Sequence, residues 1–147
     1  DLLGGVLANR NAPTVLLSHS LGNLCVAQAV RSMPSSPADV QWLNFQAALP
    51  HNAFDATTGE YRVVSTYFDS NNTSNNSLVV VHSELDLVLT FLYGMATVQT
   101  PMGLYGTNRN EASFKHRSVI EEVGESHGPE YYFSQFSLTP NLGDPFD

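Results

Sequence analysis

Three short polar segments of the sequence contain the residue types of nucleophilic catalysis. They are SHSLG (18–22), ELD (84–86) and ESHG (125–128), and each follows a more apolar stretch. In chain order they supply a serine, an aspartate and a histidine. These side chains together catalyse covalent acyl transfer, in which a serine oxygen attacks a carbonyl carbon. Because the segments lie far apart in the chain, only the fold can bring them together.

The apolar stretches before these segments predict β-strands, with helical patterns between them. TVLL (14–17) is apolar throughout, which predicts a parallel strand covered on both sides. In chain order, the predicted elements are a helix over 2–9, a strand over 14–17, a helix over 21–32, a strand over 39–49, a polar surface loop over 69–77, a strand over 77–83, a partly helical stretch over 85–98, a Gly-rich loop over 100–110 and a fourth strand around 117–123.

Strands that alternate with helices predict an α/β fold with a mainly parallel sheet and flanking helices. The chain has 147 residues, 42% of them hydrophobic, which suits one domain with a real core over residues 1–147. In sheets of this kind the chemistry lies at the carboxyl ends of the strands. The three polar segments are therefore predicted to meet at one edge.

The turn between the first strand and the following helix has its own physical signature. A turn this tight strains the backbone of its central residue, Ser20, and requires small neighbours such as Ser18 and Gly22. It raises the Ser20 hydroxyl above the sheet and directs the backbone N–H of Leu21 to the place where an oxyanion would form. The positive end of the helix adds to the same site.

These segments resemble the motifs of the α/β-hydrolase superfamily. TVLLSHSLGN resembles its nucleophile elbow, with Ser18 in place of the first glycine, HSELDLVL its acid motif, and SHGPEYYF its histidine loop. The resemblance implies a serine hydrolase in which Ser20 is the nucleophile, Asp86 the acid and His127 the general base. It covers the second half of the family's fold only. The opening strands and the loop that supplies a second oxyanion donor have no counterpart here, so an isolated triad would be catalytically weak.

Other assignments of the same residues stay open. Ser20 can be a helix N-cap, and Asp86 can be a solvated acid at a helix start. Glu84 can replace Asp86 as the triad acid, and His116 can replace His127, although His116 lies inside the predicted fourth strand. His19, beside the nucleophile, is assigned a structural role.

Two other classes of function also stay open. An α/β-hydrolase relative without catalysis would serve as a binding or scaffold domain. A nucleotide or phosphate binder would use the same strand-turn-helix unit, but neither G-x-G-x-x-G nor G-x-x-x-x-G-K-[ST] occurs in the sequence.

The amino-acid composition argues against several classes of binding partner. The net charge of −8 would repel nucleic acid and anionic membranes. Cys25 is predicted to pack as a small hydrophobe. No metal or organic cofactor is expected, and neither a membrane span nor a signal peptide is predicted.

The predicted substrate is a small acyl compound, by preference a carboxylic ester. Esterases, lipases, thioesterases, amidases and acyltransferases share the triad. Apolar and aromatic residues near the acid and histidine segments are candidates for an acyl pocket or for the core, namely Leu87, Phe91, Tyr93, Tyr131, Tyr132 and Phe133. A half-fold would also expose a sheet edge, which favours association.

Overall fold

The computed structural model describes residues 2–9, 12–37, 39–69, 75–107 and 115–118. The helices and strands of this part are, in chain order, α1 (Leu2–Ala8), β1 (Thr14–His19), α2 (Gly22–Arg31), β2 (Val40–Phe45), α3 (Val63–Tyr67), β3 (Ser77–His82), a π-helical segment (Leu89–Tyr93), α4 (Gly94–Thr97), α5 (Met102–Tyr105) and β4 (Lys115–Ser118).

The four strands form one parallel sheet in the order β1-β2-β3-β4. His19 pairs with Phe45, and Phe45 pairs with Val81, so the carboxyl ends of β1, β2 and β3 lie level at one edge. The prediction of a general α/β fold with a parallel sheet is confirmed. This edge carries two of the three segments that were singled out for chemistry, 18–22 and 84–86, while 125–128 lies outside the described residues.

Alternate strand residues contribute to two apolar clusters, one on each face of the sheet. Trp42 and Val80 belong to the larger cluster, which also contains residues of α1, α2 and α3. The Trp42 ring packs against Phe54 and Phe68, with ring centroids 5.6 and 5.9 Å away. The core of the domain therefore lies between the sheet and these three helices.

The other face carries a smaller cluster, formed by Leu43, Phe45, Val79 and Val81 with Val15 at its margin. Leu17 is 46% exposed. The prediction that the first strand is covered on both sides is therefore wrong. The physical reason is that β1 is an edge strand of the described sheet and the smaller cluster reaches only as far as Val15.

Most predicted elements are found close to their predicted bounds. The helices over 2–9 and 21–32 correspond to α1 and α2, the strand over 77–83 corresponds to β3, and the partly helical stretch contains the π-helical segment and α4. β1 runs two residues beyond TVLL, through Ser18 and His19. β4 begins before the predicted fourth strand, and residues 119–123 lie outside the described part.

Other predictions were wrong in detail. The second strand ends at Phe45 instead of residue 49, because Gln46 adopts a φ of 41° that leaves the strand. The Gly-rich loop contains α5. Cys25 is exposed, because the buried face of α2 is made by Asn23, Val26, Ala27, Ala29 and Val30.

The polar loop over 69–77 also differs from a surface loop near its end. Asn76 is buried, and its Oδ1 accepts a hydrogen bond from Val40 N at 2.9 Å. Its Nδ2 donates to Pro37 O at 2.7 Å. Asn76 thus ties the beginning of β3 to the beginning of β2.

Candidate active site

Ser20 lies at the apex of the turn between β1 and α2. Its φ is 50°, a left-handed conformation that costs a residue other than glycine about 1–3 kcal/mol. Neighbouring segments hold this conformation. Ser20 N donates to Phe45 O at 3.0 Å, while Ser20 O accepts from Ala48 N and from Asn23 N, both at 3.2 Å. The predicted strain at Ser20 is therefore present, fixed by the loop after β2.

A buried hydrogen-bond network supports this turn from below. Ser18 Oγ accepts from Trp42 Nε1 at 2.6 Å and donates to Asn23 Oδ1. Asn23, which is fully buried, donates from Nδ2 to Ser20 O at 3.1 Å and to Phe45 O at 2.9 Å. Ser18 is therefore more than a small stand-in for glycine, because its hydroxyl connects the core to the turn.

Gly22 does not have the role that was predicted for it. Among the described residues, a Cβ on Gly22 meets no atom within 4 Å, so the prediction that this position must be small to avoid a clash is wrong. Gly22 is the first residue of α2, and a side chain at this position would point into open space. At this turn the steric constraint does not extend two residues past the apex.

Leu21 has the features of a backbone donor. Its backbone is helical, with φ −64° and ψ −21°, and it precedes the first residue of α2. Among the described residues, the Leu21 N–H has no hydrogen-bond acceptor. The first N–H groups of a helix have no partner within the helix, so they are available to an anion.

Asp86 follows β3 and is fully buried. Its Oδ1 accepts a hydrogen bond from Leu89 N at 2.9 Å, which makes it the N-cap of the helical stretch over 87–97. Its Oδ2 accepts from Gln46 Nε2 at 2.6 Å. Asp86 is therefore a helix-start residue, as in the alternative assignment, but it is not solvated. Glu84, the other candidate acid, is exposed.

The loop after β2 connects the Ser20 turn to Asp86. Phe45 O accepts from Ser20 N, and the next residue, Gln46, donates from its backbone to Val81 O at 2.9 Å and from its side chain to Asp86. The structure thus brings the Ser20 and Asp86 segments together at one edge. Gln46 was missed because the apolar pattern of 39–49 placed it inside a strand.

Gly103 completes this edge. Its N–H donates to Ala47 O at 3.0 Å, and its carbonyl accepts from Ser83 N at 2.9 Å. A Cβ here would come within 2.4 Å of both Gln46 C and Leu89 Cδ1. Only glycine therefore allows α5 to approach the loop so closely.

The histidines lie in different parts of the chain, and the structure describes only some of them. His127 lies outside the described residues, as do Tyr131, Tyr132 and Phe133. His116 lies in β4. His82 is half-buried, and its Nδ1 lies 3.2 Å from Leu104 O. Burial lowers the pKa of His82, while that hydrogen bond and the charge of Glu84 act in the opposite direction.

In the described part of the chain, no group of three His, Cys, Asp or Glu side chains has the geometry to hold a metal ion. Within the same ranges, no helix is both long enough and apolar enough to cross a membrane.

Comparison with known proteins yields no match to a family model, to a curated protein or to a solved structure. The residues at the strand ends and their geometry are therefore the basis for assigning a function.

Proposed function

We propose that this chain is a serine hydrolase domain of the α/β-hydrolase type, acting on a carboxylic ester or a related acyl substrate. The observation that carries the proposal is the left-handed Ser20 at the strand-to-helix apex, hydrogen-bonded to the loop that also binds the buried Asp86. A strained serine at this point of a parallel sheet is the backbone form of a nucleophile elbow. Strain of this kind is retained where function requires it.

The proposed reaction proceeds through an acyl-enzyme. The Ser20 hydroxyl attacks the acyl carbonyl carbon, and His127 takes its proton and then gives it to the leaving group. Asp86 accepts a hydrogen bond from the imidazole and stabilises its cation. Water then attacks the Ser20 ester in the same way and releases the acid. The reaction needs no metal or organic cofactor.

The Leu21 N–H is the proposed first oxyanion donor. One such donor is typically worth about 2.7–4 kcal/mol of transition-state stabilisation. We assign no second donor among the described residues, so the expected oxyanion stabilisation is that of one N–H group.

The surface beside Asp86 favours an apolar acyl group. Five side chains of the stretch that begins at Asp86 are from 50% to 92% exposed, and together they are called the apolar patch: Leu87, Phe91, Leu92, Met95 and Val98. No charged residue occurs between 87 and 107. Exposed apolar patches of this kind typically bind a ligand or a partner. For Leu87 and Phe91 the alternative of a core position is wrong.

Labelling with a fluorophosphonate probe, which modifies activated serines, tests the proposal. We expect labelling at Ser20 by peptide mapping, its loss in Ser20→Ala, and its retention in Ser35→Ala, a change at an exposed serine of a loop. The complete product of the gene is labelled in parallel, because it supplies any second oxyanion donor. If neither folded protein is labelled, the catalytic proposal fails, and a binding domain is the function that remains.

A further inference from the structure

Gln46 has an unusual setting for both its backbone and its side chain. It is fully buried, and its φ of 41° is left-handed. Its N–H donates to Val81 O at 2.9 Å, and Nε2 donates to Asp86 Oδ2 at 2.6 Å. Gly103 packs against the carbonyl carbon of Gln46, so closely that no side chain fits at position 103. The backbone of Gln46 is therefore held on several sides in a strained form.

A glycine would adopt this backbone conformation without strain. The residue present instead carries a long amide into the interior, which costs free energy unless the amide is hydrogen-bonded. The bond from Nε2 to the Asp86 carboxylate provides that compensation for the amide donor, because a charged acceptor forms stronger hydrogen bonds than a neutral one. The side chain, and not the turn, therefore explains why glutamine occupies this position.

The Asp86 carboxylate receives one donor on each oxygen, and the two donors come from different elements. Leu89 N belongs to the helical stretch that Asp86 caps, while Gln46 belongs to the loop after β2. Two donors on opposite oxygens fix the rotation of the carboxylate plane. A carboxylate has about four lone-pair sites, so it can accept more than two donors.

We propose that Gln46 is a positioning residue of the active site: its amide holds the Asp86 carboxylate in the orientation that accepts a hydrogen bond from the catalytic base. This inference rests on the proposed hydrolase function. Gln46 acts through Asp86 and does not touch the substrate. It also sets the position of the acid relative to the nucleophile, because the preceding carbonyl, Phe45 O, accepts from Ser20 N.

The first test compares the second-order rate constants of fluorophosphonate labelling for the wild type, Gln46→Met and Gln41→Met. Methionine keeps the length of glutamine and removes the donor. We expect Gln46→Met to react about 10²-fold more slowly, the order of loss caused by a small misplacement of a catalytic group. Gln41→Met is the matched control, because Gln41 lies near the amino end of β2, the strand that precedes Gln46, and so at the opposite edge of the sheet. It should react at the wild-type rate.

The second test uses Gln46→Glu over a pH series from about 6 to 9. Two carboxylates in one site share a proton because both cannot ionise at low cost. With that proton the glutamic acid donates to Asp86 as glutamine does, and without it the two groups repel. The labelling rate relative to wild type should therefore fall by about tenfold or more as the pH rises. A purely structural role would lower this ratio only together with the free energy of unfolding, which is measured on the same samples at each pH.

A wild-type labelling rate for Gln46→Met would overturn the positioning role and leave the hydrolase proposal intact. If Gln46→Met does not fold, the Gln46→Glu series decides, and a ratio that is constant with pH overturns the role. Absence of labelling in the wild-type chain and in the complete gene product overturns both proposals. That outcome is distinguishable, because the wild type itself is then unreactive.

Discussion

Two glycines beside the candidate site differ in what a side chain would meet. A Cβ at Gly22 meets no atom of the described residues within 4 Å, whereas a Cβ at Gly103 would come within 2.4 Å of Gln46 C. The sequence motif alone suggests the opposite order of importance, because Gly22 belongs to the elbow pattern. Close approach between segments that are distant in the sequence, such as α5 and the loop after β2, leaves no local signal at Gly103.

We therefore predict opposite effects for the two alanine variants. Gly22→Ala should raise the free energy of unfolding by about 0.4–1 kcal/mol, because alanine restricts the unfolded chain at a helical position. Gly103→Ala should lower it by about 1–3 kcal/mol, because the new methyl group overpacks a backbone contact. Urea denaturation followed by tryptophan fluorescence measures both. Equal destabilisation by the two variants would contradict the geometry at the elbow.

His82 makes stability depend on pH. Burial lowers its pKa in the folded protein below the ordinary value of 6.5. Below about pH 6.5 the unfolded chain therefore binds more protons than the folded one, so the free energy of unfolding falls as the pH drops toward the lower folded pKa. Above that range its contribution is fully present.

His82→Asn should remove this pH dependence while keeping a donor near Leu104 O. We expect the unfolding free energies of wild type and variant to converge, or to cross, between about pH 7 and pH 5. Urea titrations at a series of pH values measure the difference, which cancels the contributions of other groups. Curves that stay parallel across this range would show that His82 is not held neutral by the fold.

At the scale of elements, the sequence predicts what has a local pattern. The apolar run of β3 and the helical spacing of α2 depend on neighbouring residues, and both elements are found where they were predicted. The carboxyl end of β2 and the existence of α5 depend on contacts with other segments, and both were missed. The Ser20 turn was predicted for the same reason as α2, since its strand, apex and helix are consecutive.

The connection between Ser20 and Asp86 is the part of the site that the sequence does not reveal. It passes through Gln46, whose role depends on a left-handed backbone and on a hydrogen bond to a residue far along the chain. His127, which lies outside the described residues, stays a prediction.

Asp86 has a structural role and a proposed catalytic role. It caps the helical stretch over 87–97, and it is the proposed triad acid. Asp86→Asn keeps an oxygen for Leu89 N, and its new NH2 group can donate to Gln46 Oε1 once the Gln46 amide flips, so we expect nearly wild-type stability. Asp86→Ala removes the cap and should cost at least about 1 kcal/mol of unfolding free energy.

The labelling rate separates the two roles of Asp86. If it is the acid, both variants should lose most fluorophosphonate reactivity, by up to about 10⁴-fold, since an amide cannot stabilise the imidazolium. If Asp86 is a cap only, Asp86→Asn will be labelled as fast as the wild type. Thermal unfolding of the same samples reports whether the cap is retained.

At the scale of the whole molecule, polarity is distributed unevenly. The net charge is −8, yet residues 87–107 carry no charge and include the apolar patch. Leu21, directly after Ser20, is 61% exposed as well. Exposed apolar side chains therefore follow both proposed catalytic residues, Ser20 and Asp86, in the sequence, and we expect an acyl chain to bind beside them.

This arrangement predicts a preference for longer acyl chains. Burial of one methylene group is worth about 0.8 kcal/mol, or at most about fourfold in rate, when the binding is fully expressed in the transition state. The kcat/KM for p-nitrophenyl esters should therefore rise from acetate to octanoate. The double variant Phe91→Ser/Met95→Ser should lose about tenfold or more on octanoate and little on acetate, because the short chain does not reach these side chains. Val6→Ser, at an exposed apolar position of α1, is the control and should leave both rates unchanged. An equal loss on both esters would mean that the apolar patch supports the fold or binds another partner, and that acyl-chain preference is set elsewhere.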